Sequence, residues 1–152
     1  MKNRFETFAG SIVELNRYLQ KIKDIEMKKF GLRASHTMCL YYLGRYDGGL
    51  TATQLTELCK EDKAAISRCL GQLIEKKLVS CQIPENKRSY RTVNYLTEEG
   101  KRVVDKINNR VEVALSNGGN GLSDEQRRTF YDSMEIIIDN LAKYISREEA
   151  AL

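Results

Sequence analysis

Apolar side chains recur near the start of the chain at Phe5, Phe8, Ile12, Leu15, Leu19 and Ile22, in steps of 3, 4, 3, 4 and 3. This period of 3.5 predicts one long helix, from about Asn3 to Lys29, with a narrow apolar seam. Gly31 ends it. A second helix, about Arg33 to Tyr46, carries Met38, Leu40, Tyr41, Tyr42 and Leu43 and stops at Asp47-Gly48-Gly49.

From Leu50 to Gly100 the pattern shortens and its boundaries are sharply marked. Thr51-Ala52-Thr53-Gln54 fits a capping box, in which the Thr hydroxyl and the Gln side chain each satisfy a free backbone N–H. A short helix follows with Leu55 and Leu58 inward, then the turn Lys60-Glu61-Asp62. Asp62 is suited to cap another helix, from about Lys63 to Lys77, whose inward face is read as Ile66, Leu70, Leu73 and Ile74. The period then becomes two. Val79, Cys81 and Ile83 alternate with Ser80 and Gln82, as in a half-buried strand. Pro84 stops this strand, a basic turn runs from Glu85 to Arg91, and Thr92 to Leu96 returns. Helix, turn, helix and hairpin in that order predict a helix-turn-helix with a β "wing".

Thr97, followed by Glu98 and Glu99, opens a further helix with the stripe Val104, Ile107, Val111 and Ala114 or Leu115. Asn117-Gly118-Gly119-Asn120-Gly121 reads as a flexible loop. Ser123-Asp124-Glu125-Gln126 is a second capping box. It starts a last helix whose seam is Phe130, Met134, Ile137, Leu141 and Tyr144 or Ile145. The fold class expected is mainly α with a small β-hairpin wing. Residues 1–152 form a single domain, with 33–100 as the winged helix-turn-helix lobe and 1–30 and 101–152 as flanking dimerisation helices. Long helices with narrow seams have too little partner surface alone, and a two-fold homodimer supplies it.

Charge sharpens this picture. Residues 60–91 hold eight basic and four acidic side chains, so their net charge of +4 equals that of the whole chain. All the excess positive charge therefore lies in the winged segment, where a phosphate-binding surface would need it. The single histidine, His36, has no nucleophile at a recognisable spacing. No glycine-rich phosphate loop or metal-ligand cluster is evident, so no catalytic residue, metal or cofactor is expected. No apolar run has the length of a membrane span, and the N-terminus lacks a signal-peptide pattern. Cysteines 39, 59, 69 and 81 read as reduced, partly buried thiols of a cytoplasmic protein. The competing role is redox sensing by Cys69, on the inward flank of the helix from Lys63 to Lys77, or Cys59, just before the turn, where oxidation could displace that helix.

At 100° per residue, Ala64, Arg68, Gly71 and Glu75 fall opposite the inward face of the second helix, with Ala65, Ser67 and Gln72 on its shoulders. Small residues at the helix start allow close approach to a groove floor. Arg68 can fork onto a guanine, Ser67 can bond base or phosphate, and Lys63 suits a phosphate. Lys87, Arg88 and Ser89 in the wing could reach the backbone or the minor groove. Arg91 could do the same or brace the wing by pairing with a carboxylate.

Leu50–Cys59, Ala65–Val79 and Leu96–Gly100, with Gly31–Leu40 and both terminal helices, resemble the MarR family of bacterial transcription regulators over essentially the whole chain. The resemblance implies a triangular winged-helix homodimer on a pseudo-palindromic operator, often released by a small ligand or an oxidant. Many members carry Asp-x-Arg in the wing; Asn86-Lys87-Arg88 stands there in this sequence, and the return to Leu96 is about two residues longer. The thiol-sensing branch keeps its reactive cysteine in the first helix, which has none here. Tyr18, His36, Tyr41 and Tyr42 are candidates to line an effector pocket between the first helices and the winged unit. Core packing is the competing role for each. The competing function is a dimeric winged-helix module that binds an acidic protein surface instead of specific DNA.

Overall fold

The computed structural model describes residues 3–83 and 92–152 of the 152-residue chain. The wing tip from Pro84 to Arg91, with the expected contacts Lys87, Arg88, Ser89 and Arg91, lies outside the described residues. No described helix is long and apolar enough to cross a membrane. The chain divides into two compact units, Met1–Glu112 and Val113–Leu152.

In the first unit, helix α1 spans Arg4–Lys28 and is capped by the Asn3 side chain, which accepts from the Phe5 N–H. Gly31 adopts φ 66°, and the Leu32 N–H turns back to the Met27 carbonyl, closing the helix end. This left-handed step favours glycine because it leaves little room for a β-carbon. The expected second helix is split. Ala34–His36 form a 3-10 turn and α2 runs over Thr37–Arg45. The His36 side chain accepts the Arg33 N–H, and its own backbone N–H bonds to the Arg33 carbonyl, tightening the entry to three residues per turn.

Leu50–Thr51 form a short strand, β1, that the helical pattern conceals. Both arms of the Thr51–Gln54 capping box are made, and α3 follows over Ala52–Cys59. Helix α4 spans Lys63–Glu75. It ends two residues before the expected Lys77, which takes φ 58°. The Lys77 N–H returns to Ile74 and the Leu78 N–H to Leu73, a Schellman closure with lysine in the place glycine usually fills. Strands β2, Val79–Gln82, and β3, Val93–Leu96, are antiparallel, and β1 pairs with the other edge of β3 in the order β1-β3-β2. The expected alternation in β2 fails after its first residue. Val79 is buried, but Cys81 and Ile83 are exposed. As an edge strand, β2 leaves the core behind, and only its start has a layer to cover it.

The core joins Met27, Leu40, Leu43, Leu55, Leu73 and Val104 with neighbours from the α-helices and strands of the unit. Leu40, Leu55 and Leu73 are wholly inaccessible, so each side chain contributes roughly 1.5–3 kcal/mol by burial. Along α1 the seam is covered only at its C-terminal end: Met27 is buried and Ile22 half-buried, while Phe5, Phe8, Ile12, Leu15 and Leu19 stay exposed.

Helix α5, Glu98–Gly118, begins in the first unit and ends in the second. Thr97 caps it, accepting from the Gly100 N–H. The helix persists through Asn117 and Gly118, two residues into the expected loop, with Asn117 Nδ2 donating to the Val113 carbonyl. Its stripe is graded: Val104 and Ile107 are buried, Val111 and Ala114 half-buried, and Leu115 exposed. Gly121 turns the chain with φ 89°. The Ser123–Gln126 capping box then starts α6, Asp124–Ala150, which buries no residue. Its seam, Phe130, Met134, Ile137, Leu141, Tyr144 and Ile145, is exposed throughout.

Candidate nucleic-acid interface

The turn ahead of α4 is made by two local devices. Lys60 takes φ 57° and closes α3. Asp62 Oδ1 accepts the Ala65 N–H at 2.8 Å and opens α4. Helix α4 then buries Ile66, Cys69, Leu70 and Leu73. Cys69, on the flank of the expected inward face, is buried, whereas Ile74, expected to face inward, is exposed. The cause is the neighbour on that flank: the 3-10 turn packs there, and the Cys69 thiol donates to the Ser35 carbonyl at 3.7 Å.

The opposite face is open. Lys63, Ala64, Ser67, Arg68, Gly71, Gln72 and Glu75 are exposed, and Ala65 is half-buried. An added β-carbon on Gly71 would meet nothing within 4 Å, so the backbone there is free to approach a groove. Lys60, Lys63, Arg68, Lys76 and Lys77 are all exposed. Among the described residues none of them forms an ion pair; the pairs that do form use Arg17, Lys29, Lys101, Arg102 and Arg110 on α1 and α5 and in the turn after α1. Cations already paired to carboxylates are poor phosphate ligands; these five have no carboxylate partner among the described residues. Lys60, Lys76 and Lys77 are missed by an argument from the helix face alone, but the charge excess over residues 60–91 finds them.

The four aromatic candidates lie on α1, in the 3-10 turn and on α2. His36 is buried. Its Nδ1 lies 2.9 Å from the Arg33 backbone nitrogen and its Nε2 lies 2.7 Å from Gln72 Oε1 on α4. Tyr41 and Tyr42 are half-buried and meet edge to face with ring centres 5.2 Å apart. Arg45 donates to the Tyr41 hydroxyl at 3.1 Å, a bond that favours its charged form. Tyr18 is exposed on α1 beside Arg17.

Three cysteines gather behind α4 although no sequence spacing relates them. Cys39 Sγ on α2 and Cys59 Sγ at the end of α3 are 4.0 Å apart. The hydrogen bond from Cys59 favours the Cys39 thiolate, but contact with Cys69 and burial outweigh it and push the Cys39 thiol up to about 12. The hydrogen bond with Cys39, together with burial, also pushes the Cys59 thiol well up. Thiols held in this way are poor nucleophiles at neutral pH. Cys81, expected to be partly buried, is exposed.

No protein-family model matches the chain. Solved structures do. A MarR transcriptional regulator from Methanosarcina mazei superposes with a TM-score of 0.81 and 26% identity, over 91% of this chain and 99% of its own. The chain has the MarR-family fold. A MarR family regulator from Listeria monocytogenes, solved with a 26mer DNA, matches with a TM-score of 0.77 and 21% identity over 94% of this chain and 91% of its own. CouR from Rhodococcus jostii, solved with p-coumaroyl-CoA, matches with a TM-score of 0.76 and 18% identity over 90% and 95%. Within the MarR-family fold, α3 and α4 are the helix-turn-helix and β2 and β3 the stem of the wing.

Proposed function

We propose that this chain is a sequence-specific regulator of transcription that binds double-stranded DNA as a homodimer on a pseudo-palindromic operator. The observation that carries this reading is the outward face of α4, which joins small residues at its start to exposed cations that have no carboxylate partner among the described residues. Ala64 and Ala65 let the helix approach the groove floor, Arg68 faces base edges, and Ser67 serves base or phosphate. Lys63 sits where a phosphate would lie. Lys87, Arg88, Ser89 and Arg91 extend the contact through the wing. A MarR-fold neighbour solved with DNA supports the same use of the fold.

The uncovered seams of α1 and α6 support the homodimer, because contiguous exposed apolar surface on a long helix marks a protein interface. The expected action is repression in the cytoplasm, with release by a small-molecule effector. The neighbour bound to p-coumaroyl-CoA supports a ligand-responsive regulator, and Tyr18, His36, Tyr41 and Tyr42 are the side chains through which we expect an effector to act.

Selection of bound sequences from a random duplex pool tests the reading. The expected product is an inverted repeat, which reports specificity and two-fold symmetry together. Its affinity should fall steeply with salt, log K dropping about 0.9 per log unit of salt for each phosphate neutralised. Equal affinity for all sequences, or a flat salt response, overturns it in favour of an acidic protein partner.

A further inference from the structure

His36 and Gln72 are 36 residues apart in sequence and joined by the 2.7 Å contact between His36 Nε2 and Gln72 Oε1. The chemistry of that contact follows from the other side of the ring. The Arg33 backbone N–H can only donate, so His36 Nδ1, 2.9 Å away, accepts, and the ring proton resides on Nε2. Nε2–H therefore donates, and only the carbonyl oxygen of the Gln72 amide can face it. A backbone group thus decides which end of an exposed amide points outward. Gln72 Nε2 forms no hydrogen bond among the described residues. Its two N–H donors are left on the flank of α4 shared with Arg68, one turn earlier.

We propose that His36 is a positioning residue that makes Gln72 a donor-only DNA contact. This rests on the operator-binding reading above. With its oxygen engaged, Gln72 takes an acceptor: a phosphate oxygen, or the O6, N7 or O4 edge of a base. It does not make the paired donor and acceptor contact by which a free glutamine reads adenine. The His36 bond also polarises the amide, which strengthens its remaining donors. Because the buried ring sits in the turn between α1 and α2, the donor is held by the scaffold and not by the flexible glutamine stem.

Duplex affinity of the full-length chain is measured for wild type, His36→Phe, Gln72→Ala and the double variant, with thermal unfolding recorded alongside. Gln72→Ala leaves the buried His36 Nε2–H without its acceptor, so it should melt below wild type while still unfolding cooperatively. It should bind the operator roughly five- to tenfold more weakly, as expected for loss of one hydrogen bond to a well-placed acceptor. His36→Phe should lose a similar factor, and the double variant no more than Gln72→Ala alone, because both remove the same interaction. Single-base changes in the operator separate the acceptors: a uniform loss marks phosphate, a loss confined to one position marks a base edge. Gln72→Glu keeps an acceptor for His36, has no donor and adds a negative charge. It should melt normally, bind more weakly than Gln72→Ala at low salt, and still bind no better than Gln72→Ala at high salt, where the added repulsion is screened. This variant keeps the test intact if His36→Phe fails to fold. Wild-type affinity for Gln72→Ala or Gln72→Glu, or losses that multiply in the double variant, overturn the proposal. A wild type that selects no sequence overturns the operator reading itself, and this inference with it.

Discussion

Gly100, in the first turn of α5, packs on the carbonyl oxygen of Leu78 so closely that a β-carbon there would overlap it. The same carbonyl accepts the Thr97 N–H at 3.0 Å, and the Thr97 hydroxyl donates to the Lys77 carbonyl at 2.7 Å. The end of α4, the base of the wing and the start of α5 are thus fastened at one point. Gly100→Ala should lower stability by at least about 1–3 kcal/mol, because the atom it meets is backbone and cannot rotate away. Denaturant unfolding checks this; a midpoint within error of wild type would mean the junction yields.

Asp62 caps α4 and also brings a negative charge to the face proposed for phosphate. The two effects separate in a pair of variants. Asp62→Ala should cost about 1 kcal/mol of stability through the missing cap. Asp62→Asn keeps an oxygen for the Ala65 N–H, so it should unfold nearly as wild type and bind duplex DNA more tightly, most visibly at low salt. If both variants bind alike and more weakly than wild type, the α4 N-terminus is not facing phosphates.

Arg68 and Lys63 are expected to differ in kind. Arg68→Ala should weaken operator binding by on the order of 1–3 kcal/mol and relax preference at one base position. Lys63→Ala should weaken all sequences alike and make the slope of log K against log salt shallower by roughly 0.9, the share of a single phosphate. An unchanged base profile for Arg68→Ala would remove Arg68 from the reading helix.

The paired thiols give a pH signature. Cys39 and Cys59 have folded pKa values above the ordinary 9.0, Cys39 reaching about 12. Unfolding therefore releases protons above pH 9. The stability these groups contribute is complete below that value and is lost as pH rises from about 9 towards 12. The unfolding midpoint of wild type should fall over that range more steeply than that of Cys39→Ala/Cys59→Ala. In the native protein at pH 8, an alkylating reagent should modify exposed Cys81 rapidly, and Cys39 and Cys59 only after denaturant is added. Rapid alkylation of Cys39 would show that the cluster opens readily.

Much of this architecture is written locally. Thr51–Gln54, Asp62 and Ser123–Gln126 start helices in the structure as they do in the pattern, because a cap is satisfied by backbone within three residues of it. The charge excess over residues 60–91 likewise needs no fold to be seen. Strand β1 has no such local mark, since two residues carry no period and its pairing with Val93 and Asn94 is set some 40 residues away.

By itself, then, the sequence determined where the capped helices begin, where the period changes from helix to strand, which segment is cationic and which long helices carry narrow apolar seams. These depend on interactions between near neighbours or on composition. Tertiary structure alone decided that Ile74 stays outside the core, that β2 is buried only at Val79, that Cys39 meets Cys59, and that His36 holds the oxygen of Gln72. Periodicity says which face of an element is apolar, but which residue of that face is covered depends on a neighbour brought in from a distant part of the chain.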